Sequence, residues 1–64
     1  MKVIIERTDT MQELKFNGKA SDLLNLLAVN SEEVLVVVNN ELVSLEHKIK
    51  DQDKVEILSI ISGG

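Results

Sequence analysis

Cysteine, proline, tryptophan and tyrosine are all missing from this chain of 64 residues, and Phe16 is its single aromatic. Without cysteine there is no disulfide, no thiol nucleophile, no side-chain persulfide and no Cys–His cage for a structural metal. That composition fits a reducing cytoplasm. His47 is the one histidine, so a general base or metal ligand there has no second His or Cys to work with. Acids outnumber bases 11 to 7, for a net charge of −4. An acidic chain without aromatic platforms lacks both the basic stripe and the stacking surface that hold nucleic acid. The longest apolar run, Val34 to Val38, falls far short of the ~20 residues of a membrane span. Lys2-Val3-Ile4-Ile5, closed by Glu6 and Arg7, is too short an apolar run for a secretory leader. These absences point to a cytoplasmic, monomeric protein with no metal, no cofactor and no nucleophile–base pair, hence not an enzyme.

What remains is 44% apolar and almost wholly aliphatic, enough for one small domain. Met1 to Arg7 alternates as a strand, with Val3 and Ile5 on one face and Lys2, Ile4 and Glu6 on the other. Thr8-Asp9-Thr10 reads as a turn, Met11 to Phe16 as the return strand of a hairpin, and Asn17-Gly18 as its closing turn. The period then changes. Ala20, Leu23, Leu24 and Leu27 stand at i, i+3, i+4 and i+7, which predicts an amphipathic helix over 20–28 with Ser21 as N-cap and Asp22 in the first turn.

Val34 to Val38 is an unbroken β-branched and leucine run, the pattern of a strand covered on both faces or lying deep in a sheet. Asn39-Asn40 supplies a tight hairpin turn, and Glu41-Leu42-Val43 returns from it. Ser44 is placed to cap a brief helical turn through Lys48, with Ile49 tucked inward, and Asp51-Gln52-Asp53 turns into a last strand, Lys54 to Ile61. Strands at both ends around one helix predict an α+β fold. The expected architecture is a β-grasp, a mixed sheet of four to five strands with the helix on one face and the first and last strands adjacent and parallel. The domain is expected over 1–61, with Ser62-Gly63-Gly64 as a flexible C-terminal tail.

Two features carry a functional reading. Gly63-Gly64 adds no packing and carries the largest backbone entropy cost on ordering. A linker has the same composition. A tail that threads a narrow partner channel to present the Gly64 carboxylate would use both glycines, because without Cβ atoms they lie flat against a partner's backbone. Strand parity also puts Glu56, Leu58 and Ile60 with Ile4 on the face away from the helix. Such a patch is either an ordinary scatter of exposed aliphatics or a partner surface leading to the tail. Ser59 falls inward by the same parity, against the apolar pattern. Lys48, Lys50 and Lys54, like Glu32 and Glu33, read as solvated surface.

The helical Ser21-Asp22-Leu23-Leu24, the hairpin Val36-Val37-Val38-Asn39-Asn40, the run Asp51-Gln52-Asp53-Lys54-Val55-Glu56-Ile57 and the closing Gly63-Gly64 together resemble the ubiquitin-like sulfur carriers. That group holds the thiamine-pathway carrier, the small subunit of molybdopterin synthase and the ubiquitin-related modifiers that carry sulfur. The resemblance implies adenylation of Gly64 by an E1-like enzyme that binds the ATP. It implies conversion to a thiocarboxylate through a sulfur-donor enzyme, and delivery to a sulfur-acceptor synthase for thiamine, molybdopterin or tRNA thiolation. Ser62 and Gly63 would thread the partner's channel, and Ile4, Glu56, Leu58 and Ile60 would dock it. A protein modifier joined through Gly64 to lysines begins with the same adenylate, and an inert β-grasp interaction module has the same shape. Gln52 stands where that family usually has glycine between the two acids, and the first hairpin is longer than in the usual thiamine-pathway carriers.

Overall fold

A computed structural model of the chain describes residues 1–6 and 9–60. Arg7 and Thr8 of the first hairpin, Ile61 at the end of the last expected strand, and the tail Ser62, Gly63 and Gly64 lie outside the described residues. In chain order the elements are β1 (Lys2–Ile5), β2 (Thr10–Glu13), β3 (Gly18–Lys19), α1 (Ala20–Leu26), a short 3-10 turn (Ser31–Glu33), β4 (Val34–Val38), β5 (Glu41–Val43), β6 (Lys48–Ile49) and β7 (Lys54–Ser59). The main sheet runs β2-β1-β7-β4-β5, with β1 and β7 parallel and the other neighbours antiparallel. The expected β-grasp architecture is what forms, and the first and last strands pair in the interior of the sheet.

The core follows from the alternation. Val3, Val55, Ile57 and Val36 point to the same side, where α1 lays Ala20, Leu23 and Leu24 on them, and all seven are buried. Each such aliphatic side chain contributes about 1.5–3 kcal/mol relative to exposure, which a helix of two turns needs, being marginal alone. Ile49 closes the end of the core from β6, which pairs with β3 to form a second, two-stranded ladder. Leu14 and Phe16 follow β2 as irregular chain rather than strand, yet both pack against the core.

Three local expectations are corrected. Ser21 does not cap α1. The cap position is Lys19, with no side-chain bond, because the first free helical N–H groups are taken by backbone: Ala20 donates to the His47 carbonyl and Ser21 to the Leu45 carbonyl, both at 2.9 Å. The helix also ends at Leu26, short of Ala28. There the Ala28 N–H donates to the Asn25 carbonyl at 3.1 Å and the Val29 N–H to the Leu24 carbonyl at 2.9 Å, with Ala28 at φ 58°. This is a Schellman stop built on alanine where glycine is usual.

The segment after Ser44 is a turn, not a helical cap. His47 N–H donates to the Ser44 carbonyl, and the chain then extends into β6, because its carbonyls are already committed to α1. Of the two readings of its apolar run, β4 takes the second: it lies within the sheet between β7 and β5, covered on one face only. Val34, Val36 and Val38 are buried, whereas Leu35 is 40% exposed. Its β-branched run reflects pairing on both edges, to β7 and β5, rather than cover on both faces.

The Asn39-Asn40 turn has positive φ at both residues, 52° and 68°, as a two-residue hairpin turn demands. Gln52 is not among the residues with positive φ. The turn between Asp51 and Asp53 therefore makes no demand at Gln52 for the left-handed backbone that favours glycine.

Candidate functional site

Ile4, Glu56 and Leu58 come together as the parity argument expects. Ile4 lies opposite Glu56 in the parallel β1–β7 pair, and Leu58 follows two residues on, on the same side. Ile60 sits one residue past β7 at a bend, 51% exposed, with its N–H donated to the Glu33 carbonyl at 3.0 Å. That bond ties the end of the described chain to the 3-10 turn before β4.

The register shows more of this face than strand parity in β1 and β7 could. Met11 of β2 is opposite Ile4, Glu56 is opposite Val37 of β4, and Val37 is opposite Leu42 of β5. One row thus crosses all five strands as Met11, Ile4, Glu56, Val37 and Leu42. Leu35 stands opposite Leu58 in the next row toward the tail. Met11 and Leu42 are 66% and 62% exposed. The row on the other side is charged, with Lys2 opposite both Glu13 and Lys54. Sequence alone does not pick out Met11, Leu35, Val37 and Leu42, because cross-strand neighbours are set by register. A one-residue slip would have turned each of them inward.

An apolar sheet face with no helix over it, rimmed by charge on one side and running toward the chain's exit on the other, has the form of a docking surface. Glu56 is half-buried within it, and Lys54 Nζ lies 3.9 Å from its carboxylate.

Ser59, the inward residue that broke the pattern, is explained by the short helix. α1 stops before it can cover the far end of β7, and Ser59 lines an open cleft of about 600 Å³ with Ile5, Thr10, Leu27, Val29 and Glu33. The Ser59 side chain there borders an open cleft rather than the closed core.

The Asp51-Gln52-Asp53 turn has a structural role in positioning β7. Asp51 Oδ1 accepts the Phe16 N–H at 3.1 Å, and its own N–H donates to Asn17 Oδ1 at 3.2 Å. Asp53 takes the Lys50 N–H on one oxygen at 2.9 Å and the Asn39 Nδ2 on the other at 3.0 Å. Those two donors, the Lys50 amide first, hold the Asp53 carboxyl below the usual carboxylate range. His47 is an exposed residue whose carbonyl, not its ring, serves the fold. Among the described residues no group of three or more His, Cys, Asp or Glu is placed to hold a metal ion. No helix in them is long and apolar enough to cross a membrane.

The mixed sheet grasping one helix, with the opposite face left open and apolar, defines a ubiquitin-like β-grasp domain. The chain belongs to the ThiS family, whose model matches residues 3–64. It is 35% identical over 65 residues, the whole of both chains, to the sulfur carrier protein TtuB of Thermus thermophilus. It is 48% identical over 46 residues to the uncharacterized protein ycf40 of Porphyra purpurea, covering 66% of this chain and 65% of that one. Among solved structures, the crystal structure of the thiamine biosynthesis protein ThiS of Geobacter metallireducens matches with a TM-score of 0.68 at 25% identity over all of both chains. A solution structure of a thiamine biosynthesis protein from the same organism matches with a TM-score of 0.61 at 28% identity, covering all of this chain and 88% of that one. The family is that of the small sulfur carriers.

Proposed function

We propose that this protein carries sulfur on its own C-terminal carbonyl and does no catalysis itself. The Gly64 carboxylate attacks the α-phosphorus of ATP held by an E1-like enzyme, and pyrophosphate leaves. A sulfur nucleophile at the oxidation level of hydrosulfide then attacks the acyl adenylate. The C–S bond forms, AMP departs, and a thiocarboxylate remains for an acceptor synthase. Adenylate is the right leaving group for this step, because a free carboxylate is inert to sulfur nucleophiles.

The observation that carries the reading is the likeness to a sulfur carrier along the whole chain, running through Gly63-Gly64. The domain over 1–61 acts as the rigid grip, and Ser62 and Gly63 act as the tether that reaches a partner's site. Ile4, Glu56, Leu58 and Ile60, with Leu35 and Met11 beside them, form the face the enzyme holds. The work belongs in the cytoplasm, where ATP and reduced sulfur are both at hand.

Intact-mass measurement of protein isolated from its host tests this. Exchange of one terminal oxygen for sulfur, lost when Gly64 is deleted while the fold persists, is the expected result. A Gly-Gly remnant on lysines of other proteins would instead make the chain a modifier. Unmodified carboxylate under all conditions, with an E1-like enzyme and ATP supplied, would make it an inert module and sink the proposal.

A further inference from the structure

Glu56 is the one charge in the row that crosses the open face, between Ile4 on β1 and Val37 on β4. Its side chain is 30% exposed, and Lys54, its nearest cation among the described residues, approaches only to 3.9 Å with its own side chain half open to water. That separation is an ion pair but not a hydrogen bond, and an exposed pair of this kind holds weakly. An ionised carboxylate has about four acceptor positions. Glu56 is open enough to solvent for water to reach them. A partner that covers Ile4, Leu35 and Leu58 takes that water away. The carboxylate then carries a desolvation penalty that apolar contacts alone do not offset, unless the partner brings donors to it.

We propose that Glu56 sets the specificity of this face, and that the surface it fits is an apolar patch on the activating enzyme with an arginine guanidinium at its centre. The proposal rests on the docking reading given above. Arginine is the chemistry that matches: its planar fork binds a carboxylate through two parallel N–H donors, and it gives up water more readily than an ammonium group. The net charge of −4 draws a basic surface to the chain before contact is made. Enzymes that activate other carriers, and lack that arginine, would be rejected by the buried carboxylate rather than by shape.

The test is calorimetric titration of the E1-like enzyme from the same host with the full chain and with a chain lacking Gly63 and Gly64. The variants are Glu56→Gln, which keeps the shape, and Glu56→Lys, which reverses the charge. In both backgrounds Glu56→Gln is expected to weaken binding about tenfold or more and Glu56→Lys about a hundredfold or more. One surface arginine of the enzyme, changed to glutamate, should restore binding to the Glu56→Lys chain and lose the wild type. Both variants binding within about twofold of wild type, or no arginine change restoring the reversed chain, overturns the inference. Enzyme that does not bind the wild-type chain overturns the inference and the docking reading together. Glu56-dependent binding without adenylation of Gly64 supports the inference and overturns the carrier reading alone.

Discussion

Asn39 is bound to Lys54 twice: its N–H donates to the Lys54 carbonyl at 2.8 Å, and its side-chain Oδ1 accepts the Lys54 N–H at 3.0 Å. The two residues are far apart in sequence, yet together they lock the β4–β5 turn to the start of β7. Asn39 also holds φ 52°, a conformation that costs a residue with Cβ about 1–2 kcal/mol and that asparagine tolerates better than most. One side chain therefore sets a turn and the register of the central strand.

Asn39→Ala should cost about 2–3 kcal/mol, from the side-chain hydrogen bonds lost and the strained φ that alanine bears. Asn39→Gly loses the same bonds but relieves the backbone, and should recover about 1 kcal/mol of that. Urea unfolding of the two variants measures the difference. Equal losses would show that the turn's backbone conformation contributes nothing.

Asp53 gives the fold an acid limit. Its carboxylate accepts the Lys50 N–H and the Asn39 amide, and both favour the charged form, so its folded pKa lies below the unfolded one. A depressed carboxylate contributes stability that is complete above the unfolded pKa, about 4, and is lost as pH falls through the folded value. Stability followed by circular dichroism from about pH 6 to pH 2 should fall, and Asp53→Asn should flatten that fall while lowering stability near neutrality. An acid limb unchanged in Asp53→Asn would assign the loss to other carboxylates.

The order of elements and the inward faces could be read from the residues because they rest on periodicity. Val3, Val55 and Ile57 alternate, Leu23 and Leu24 recur at helical spacing, and Gly63-Gly64 is plain in the chain. What escaped rests on contacts distant in sequence. Ser21 has the right chemistry for an N-cap, but carbonyls from Leu45 and His47 reach its helix first. Leu35 sits in an unbroken apolar run, and only the β4–β7 register reveals that it belongs to the open face with Leu58. Gln52 holds a place where the resemblance led to an expected glycine, and the backbone there has no positive φ that would call for one.

Ile57 and Leu58 are neighbours in sequence with opposite duties. Ile57 is buried under α1, and Leu58 faces the open side of the sheet. Ile57→Ala should cost about 2–5 kcal/mol of stability by removing core volume that the short helix cannot refill. Leu58→Ser should cost far less stability, and should weaken binding of the activating enzyme instead. Unfolding curves beside a binding titration separate the two. A Leu58→Ser chain that binds as well as wild type would remove the open face from the docking surface.

Among the described non-glycine residues with positive φ, Ala28 is the one with no polar side chain to offset that conformation. It ends α1 in the left-handed conformation at φ 58°, with its N–H donated to the Asn25 carbonyl and the following Val29 N–H to Leu24. Both hydrogen bonds come from the backbone, so glycine keeps them. Glycine also removes the clash between Cβ and carbonyl that makes this conformation costly for alanine. Against that gain stands the greater freedom glycine has in the unfolded chain, worth about 0.4–1 kcal/mol. Because Ala28 is exposed, no packing is lost when its methyl group is deleted. Ala28→Gly should therefore stabilise the domain by about 0.5–1 kcal/mol, which in so short a chain raises Tm by several degrees. A thermal scan of the purified variant decides it, and an unchanged or lowered Tm would mean that the helix stop bears no strain for glycine to relieve.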